Sequence, residues 1–147
     1  MSGIAIAEDC KNVFEDMKRN KSYRYCIFFI KEEKLIAVEK MGDCDASYDD
    51  FLKDLQSGGE GDCRYGLYHM EYEHHCQGIT ESSKKQKLFL MSWCPDSAKI
   101  KNKMLYASSF ETLKKFSVGV HKFIQATDIS EASISEVQMK LRSSDRI

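Results

Sequence analysis

Residues 23–30 constrain the fold most, because this segment is an almost unbroken run of aromatic and aliphatic residues. It reads YRYCIFFI, and Arg24 is its one charged residue. Such a run is typical of a central strand that is buried on both faces of its sheet. A sheet with such a strand needs packed layers on both sides.

Further elements are predicted on both sides of this strand from helical and alternating apolar spacing. In chain order they are helix 5–18, strand 23–30, turn 31–34, strand 35–38, helix 48–55, strand 64–73, strand 87–93, helix 98–116, strand 121–126 and a last helix containing Val137 and Leu141. Asp96 or Ser97 is expected to cap the long helix, and Ser133 or Ser135 the last one. This order predicts an α+β fold (an α/β sandwich), in which a central five-stranded mixed sheet is flanked by helices on both faces.

The length and composition exclude several protein classes. A chain of 147 residues fits one domain, which we expect to span 1–147. One proline and eight glycines exclude a long disordered or collagen-like tract. No apolar run approaches the roughly 20 residues needed to cross a bilayer. The first residues lack the basic and apolar regions of a signal peptide. We therefore expect a protein of the cytosol, the nucleus or both, with no transmembrane segment. A monomer is also expected.

The charge is distributed unevenly along the chain, although the net charge is only −1. Residues 31–83 carry 13 acidic and 5 basic side chains, whereas residues 84–122 carry 9 basic and 2 acidic ones. A basic segment of this kind suits nucleic acid, an anionic membrane or an acidic protein, and a simply solvated face is the alternative. No zinc-finger spacing or RNA-binding aromatic strand is present, so nucleic acid is not an expected partner.

Cysteine and histidine residues raise the question of a metal or thiol site. The six cysteines include no C-x-x-C pair, and we expect free thiols. His74, His75 and Cys76, with His69 nearby, suggest metal binding, but four converging ligands are not evident. Cys76 or Cys94 as a nucleophile lacks an identifiable base. No catalytic residue, metal or cofactor is therefore predicted, and the chain is not expected to be an enzyme.

The helix predicted at 98–116 carries two different faces. The expected core face consists of Leu105, Phe110, Leu113 and Phe116. The opposite face carries Ile100, Met104 and Ala107 among Lys101, Lys103, Glu111, Lys114 and Lys115. Apolar residues ringed by lysines are typical of an interface, and scattered surface hydrophobicity is the alternative.

Two further basic or polar segments are open to both a functional and a neutral interpretation. Residues 84–87 (KKQK) lie where a loop is predicted to enter the fourth strand, and they form either a second anion-binding or acidic-partner site or a solubilising loop. Ser2 is a phosphorylation candidate at the chain's start, and an inert terminal serine is the alternative.

These residues resemble the actin-depolymerising factor/cofilin family (ADF-homology domain) over nearly the whole chain. The resemblance rests on the Ser2-Gly3 start and on segments 23–30, 63–72 (CRYGLYHMEY), 82–110 (SSKKQKLFLMSWCPDSAKIKNKMLYASSF) and 124–133 (IQATDISEAS). It implies a five-stranded mixed sheet between helices, shared in outline with gelsolin segments. It also implies binding to actin monomers and filaments, with preference for the ADP state, filament severing and depolymerisation.

The resemblance assigns roles to individual residues. Contacts to monomers and filaments fall on Ser2, Gly3, Lys101, Lys103 and Met104, to which the helical pattern adds Ile100. Filament contacts fall on Lys85, Lys87, Lys140 and Arg142. In some members the last helix carries an acidic–basic pair, where this chain has Met139 and Lys140. An actin-binding adaptor that does not sever, or that sequesters monomers, is therefore the alternative function.

The resemblance also implies regulation. LIM-type kinases would phosphorylate Ser2 and Slingshot-type phosphatases would reverse this. Phosphoinositide headgroups would compete for Lys84, Lys85, Lys101 and Lys103. The expected location is the cytoplasm and cytoskeleton. Nuclear entry is left open, although no basic nuclear-localisation motif is visible before Tyr48.

Overall fold

The structure, a computed structural model, describes residues 4–19, 22–59, 61–75 and 82–143. For 72–75, 82–85 and 143 only the backbone is described. Within these ranges it contains six strands and five helices. They are β1 (Ala5–Ile6), α1 (Glu8–Arg19), β2 (Tyr23–Lys31), β3 (Leu35–Asp43), α2 (Tyr48–Leu55), β4 (Arg64–His75), β5 (Ser82–Trp93), α3 (Ile100–Phe116), β6 (Lys122–Ala126), α4 (Ile129–Ala132) and α5 (Ile134–Ser143).

The six strands form one mixed sheet in the order β1-β3-β2-β4-β5-β6. The two edge strands pair in parallel, and the inner pairs are antiparallel. The predicted mixed sheet is confirmed, but the strand count of five is wrong. The extra strand is β1, whose Ala5 N–H donates to the carbonyl of Lys34 at 2.8 Å. A strand of two residues shows no periodicity, so the sequence pattern did not predict it. Because Ala5 and Ile6 form this strand, helix α1 begins at Glu8 rather than at residue 5.

The segment 23–30 occupies the predicted central position, between β3 and β4. Its side chains alternate between two cores. Cys26 and Phe28 face α1 and α3, whereas Tyr25 and Ile27 face α2 and α5. All four are buried, which explains why this strand lacks polar alternation.

Helices cover both faces of the sheet, as predicted. The first core contains the α1 and α3 side chains Cys10, Phe14, Met17, Tyr106, Phe110 and Leu113. The second core contains the α2, α4 and α5 side chains Tyr48, Phe51, Leu55, Ala132, Val137 and Leu141. Burial of one such large apolar side chain contributes about 1.5–3 kcal/mol. Helices α3 and α5 contribute to different cores and therefore lie on opposite faces of the sheet.

The fourth predicted strand was expected to begin at Lys87, and this start is wrong, because the strand begins at Ser82 and the expected entering loop at 84–86 is part of it. Residues 84–87 belong to β5, which pairs with β4 along its whole length, with Lys84 opposite Glu73 and Lys85 opposite Tyr72. The long β4 supplies the backbone partners for this extension. The charge run hid the strand because lysines are depleted in strands.

The caps at the helix starts differ in part from the prediction. Neither Asp96 nor Ser97 caps α3; Lys99 precedes the helix and makes no side-chain cap. Ser133 does cap α5, since its Oγ accepts from the N–H of Glu136 at 3.4 Å. The short α4 was not predicted; the Asp128 side chain caps it by accepting from the N–H of Glu131 at 2.9 Å.

Candidate binding surface

Helix α3 is held in one rotation about its axis by two tyrosines. The Tyr106 hydroxyl accepts from the N–H of Ile30 at 3.0 Å. The Tyr65 hydroxyl donates to the Tyr106 carbonyl at 2.5 Å. The Tyr65 ring also stacks on Phe110, with the ring centroids 5.6 Å apart. These contacts fix which side chains of α3 point away from the sheet.

The predicted core face of α3 is confirmed in part. Phe110 and Leu113 are buried, whereas Leu105 and Phe116 are only half-buried. Tyr106 lies at the centre of the buried face instead. The sequence pattern did not assign Tyr106 to the core, because tyrosine carries a polar hydroxyl. Hydrogen bonding of that hydroxyl allows the side chain to be buried.

The outward face of α3 carries two exposed apolar side chains. Ile100 is 74% exposed and Met104 is 67% exposed. They are four residues apart and so lie one above the other on the helix. Lys101 and Lys103 flank them on either side at about 100° of rotation per residue. We call Ile100, Lys101, Lys103 and Met104 the α3 surface.

Lys101 contacts the turn between β2 and β3. Its Nζ lies 3.0 Å from the Glu33 carboxylate, and both side chains are largely exposed. An exposed pair of this kind contributes at most about 1 kcal/mol, so a partner's carboxylate could replace Glu33 at little cost. Glu33 was not predicted, because it is distant from Lys101 in the sequence and the turn's polarity is ordinary.

Lys103 lies on the other side of the apolar pair. It is half-buried and lines a cavity of about 230 Å³ between α3 and the ends of β5 and β6. Cys94, Asp96, Ala107 and Thr127 also line this cavity. The two predicted lysines therefore share one helix face but have different surroundings.

The first turn of α3 concentrates positive charge. It contains no acidic residue, and Lys99, Lys101 and Lys103 lie at or near this end. The helix dipole makes this end partly positive, so each cation here is disfavoured by about 0.3–1 kcal/mol at low ionic strength. Such an arrangement does not help folding, but it strengthens the attraction of an acidic partner.

A second basic surface lies where β5 begins and α5 ends. The Nζ of Lys87 donates to the Leu141 carbonyl at 3.2 Å. Lys140 is half-buried and Arg142 exposed beside this contact, and Met139 is 54% exposed. We call Lys87, Met139, Lys140 and Arg142 the α5 surface. The side chains of Lys84 and Lys85 are outside the part of the chain that the structure describes.

The two surfaces are well separated. Helices α3 and α5 pack on opposite faces of the sheet. Lys87 also lies six residues before Trp93, the last residue of β5, which is about 20 Å along an extended strand. One small ligand cannot reach both surfaces, whereas two protein subunits could each contact one.

The start of the described chain lies beside the α3 surface. Ser2 and Gly3 are outside the described residues. Ala5 donates to Lys34, which belongs to the same turn as Glu33, and Glu33 pairs with Lys101. The chain therefore enters the fold next to the turn that contacts α3.

The sequence suggested a metal site at His74, His75 and Cys76. Cys76 and the side chains of the two histidines lie outside the part of the chain that the structure describes. Where side chains are described, three or more His, Cys, Asp or Glu residues never converge on a point that could hold an ion. In the described ranges, no helix is both long and apolar enough to cross a membrane.

Comparison with known proteins gives consistent matches. Residues 3–142 match the family described as "Cofilin/tropomyosin-type actin-binding protein". Actin-depolymerizing factor 11 of Oryza sativa subsp. japonica is 43% identical, over 90% of this chain and 87% of the relative. Actophorin of Entamoeba histolytica is 37% identical, over 97% of each chain. The crystal structure of Streptomyces griseoflavus cofilin has 38% identity and a TM-score of 0.84, over 97% of this chain and 100% of that one.

Proposed function

The chain belongs to the cofilin and actin-depolymerising factor family, and from this premise we propose that it binds actin monomers and filaments, prefers ADP-actin, and severs and depolymerises filaments. The proposed activity is binding and not catalysis. A single domain spanning 1–147 would carry it. Its proposed location is the cytoplasm and cytoskeleton.

The observation that carries the proposal is the exposed pair Ile100 and Met104 between two lysines. Apolar side chains at the centre of a patch and charges at its rim are typical of protein interfaces. The Met104 side chain adapts its shape to a partner's cleft. The lysines favour an acidic rim on that cleft, and Ser2 and Gly3 would contact the same partner.

The α5 surface supports filament binding as a separate step. A monomer would need only the α3 surface, whereas the α5 surface, extended by Lys85, would contact a second subunit. Binding energy at two subunits can favour a filament arrangement that differs from the resting one, because a ligand shifts an equilibrium toward the state it binds better. Severing would follow where contacts between subunits are weakened.

The experiment that tests this function is time-lapse fluorescence imaging of single labelled ADP-actin filaments, together with a monomer-binding assay. Breaks that appear more often than in buffer would support severing. Binding to neither filaments nor monomers would overturn the proposal as a whole. The Lys101→Ala/Lys103→Ala variant serves as the control for effects that do not depend on the α3 surface.

A second candidate function is an actin-binding adaptor that does not sever filaments, or that sequesters monomers. The exposed Met139 in α5 favours it, because the family resemblance implies an acidic residue at this position in some members. Filaments that are decorated but stay whole would select this candidate.

Regulation is proposed at Ser2 and at two pairs of lysines, Lys84 with Lys85 and Lys101 with Lys103. Phosphorylation of Ser2 by a LIM-type kinase would add negative charge facing an acidic partner and weaken binding, and a Slingshot-type phosphatase would restore it. Phosphoinositide headgroups would compete with actin for Lys84, Lys85, Lys101 and Lys103. Vesicle competition in the filament assay tests the second mode.

A further inference from the structure

Two cysteines from neighbouring strands are in contact behind the α3 surface. The thiol of Cys63 donates a hydrogen bond to the sulfur of Cys94 across 3.3 Å. Cys63 directly precedes β4 and Cys94 directly follows β5. Because Arg64 is paired with Trp93 in the antiparallel ladder, the two cysteines are the next opposed pair.

The backbone arrangement is close to what a disulfide needs. Directly opposed residues in an antiparallel pair have Cβ atoms about 4.5–5.5 Å apart, and a disulfide needs about 3.5–4.5 Å. The sulfurs must approach from 3.3 Å to about 2.05 Å. Both cysteines lie just outside the paired residues, so the closure breaks no ladder hydrogen bond.

The two thiols differ in access. Cys63 is buried, with 1% of its surface exposed. Cys94 is half-buried and lines the cavity that Lys103 and Asp96 also line. A small oxidant that enters this cavity therefore contacts Cys94 before Cys63. The cationic Lys103 lines the same cavity and would attract an anionic reagent such as glutathione.

We propose that Cys63 and Cys94 form a reversible oxidation site, at which Cys94 reacts with a peroxide or a low-molecular-weight disulfide and Cys63 then closes an internal disulfide. With hydrogen peroxide, the Cys94 sulfur attacks one oxygen, the O–O bond breaks, and sulfenic acid and water are formed. The Cys63 sulfur then attacks the Cys94 sulfur, the S–O bond breaks, and a second water leaves. The two thiols lose two electrons and two protons, and the peroxide gains them. With oxidised glutathione, the Cys94 sulfur attacks one sulfur of the reagent, its S–S bond breaks and one glutathione thiol leaves. The Cys63 sulfur then attacks the Cys94 sulfur of this mixed disulfide, and the second glutathione thiol leaves.

Burial assigns the second role to Cys63. Desolvation and the hydrogen bond to Cys94 raise the pKa of the Cys63 thiol to about 12. It therefore remains a thiol at neutral pH and is not the group that attacks an oxidant from solution. In the second step its proton passes to the group that leaves Cys94 as the S–S bond forms.

The other described cysteines have different surroundings. Cys10 is buried and its thiol donates to the Ile36 carbonyl. Cys26 is fully buried. Cys44 is exposed, and its thiol donates to the Ser22 carbonyl. Cys44 thus provides a control for accessibility.

The test is alkylation of remaining thiols after exposure of the folded protein to oxidised glutathione or hydrogen peroxide, followed by non-reducing peptide mapping. We expect wild type and Cys44→Ser alike to yield a linked peptide pair containing Cys63 and Cys94, and to recover both of these thiols with dithiothreitol. The exposed Cys44 of the wild type should form at most a mixed disulfide with the reagent. Cys63→Ser should accumulate a mixed disulfide on Cys94, whereas Cys94→Ser should leave Cys63 unmodified.

Three results would overturn the proposal. They are a wild-type protein that keeps both thiols under excess oxidant, a linked pair that joins Cys94 to Cys44 or Cys76, and a disulfide that forms only between two chains. The wild-type peptide map decides the question even if a serine variant fails to fold. None of these results depends on actin, so this proposal and the proposed function fail or succeed separately.

Discussion

The Nζ of Lys87 donates to the Leu141 carbonyl at 3.2 Å, so that a side chain from β5 binds one of the last carbonyls of α5. The last four carbonyls of a helix have no partner within the helix. A lysine there satisfies one of them and also interacts favourably with the helix dipole. Lys87 therefore holds the α5 surface together, in addition to the filament contact proposed for it.

Replacing Lys87 by Met should loosen the end of α5. The variant loses a hydrogen bond to a charged group, so we expect its free energy of unfolding to fall by about 1–2 kcal/mol. Urea unfolding measures this loss, and filament co-sedimentation should weaken in parallel. Lys53→Met, at an exposed position in α2, is the matched control and should change neither quantity. Unchanged unfolding of Lys87→Met would contradict the structural role.

The double variant Lys101→Ala/Lys103→Ala should bind actin at least about tenfold more weakly, a loss of about 1.4 kcal/mol or more. The lysines flank the exposed apolar pair, and removing them takes away the charges proposed to face an acidic rim. Co-sedimentation with filaments and a monomer-binding assay both measure the effect.

The control for this variant removes the same two charges elsewhere. Lys11 in α1 and Lys53 in α2 are both exposed and lie outside the α3 and α5 surfaces. The Lys11→Ala/Lys53→Ala variant should bind as wild type does. Equal binding by both double variants, with both folded, would remove the α3 surface from the proposed function.

Much of the fold could be predicted from the sequence, because side-chain periodicity reports burial. The segment 23–30 and the helix 48–55 were predicted within a residue of their bounds. Strand β1 and helix α4 were missed, since two to four residues carry no period. The start of β5 was missed because its partner is the extended β4, and pairing between distant segments leaves no local signal.

For each contact in the candidate site, the sequence predicted one of the two residues but not its partner. The exposed Ile100 and Met104 follow from helical spacing alone. The partners Glu33 of Lys101 and Leu141 of Lys87 lie on other elements, so spacing within one helix or strand cannot identify them. The same holds for Cys63 and Cys94, which meet only once β4 and β5 are in register.

Replacing Tyr106 by Phe should destabilise the fold by about 1–3 kcal/mol, because the N–H of Ile30 loses its acceptor in a partly buried position. Thermal or urea unfolding measures this effect. Tyr23→Phe is the matched control, since its half-buried hydroxyl has no hydrogen bond within the described residues. If Tyr106→Phe unfolds like wild type, the hydroxyl does not anchor α3.

Stability should fall in acid partly through the cap of α2. Hydrogen bonds from the backbone N–H and side chain of Ser47 hold the pKa of Asp50 below its usual value. Because the pKa of Asp50 is lower in the folded state, its carboxylate stabilises the fold at pH values above the unfolded-state pKa of about 3.9. This stabilisation is lost as the pH falls through the folded-state pKa. Asp50→Asn, which does not titrate, should therefore lose less stability than wild type on acidification. Urea midpoints at neutral and acidic pH test this, with Asp49→Asn as control; equal losses in all three proteins would contradict it.

Replacing Ser2 by Glu should weaken actin binding, whereas Ser2→Ala should leave it unchanged. Ala5 is bonded to Lys34 in the turn that contacts Lys101, and Ser2 precedes Ala5 by three residues in the sequence. A negative charge there would repel an acidic partner and compete for Lys101. Binding of both variants to ADP-actin monomers, measured at two salt concentrations, tests this, because the difference should shrink as salt screens the charge. Equal affinities at low salt would refute regulation at Ser2 and leave the lysines of α3 as the point of control.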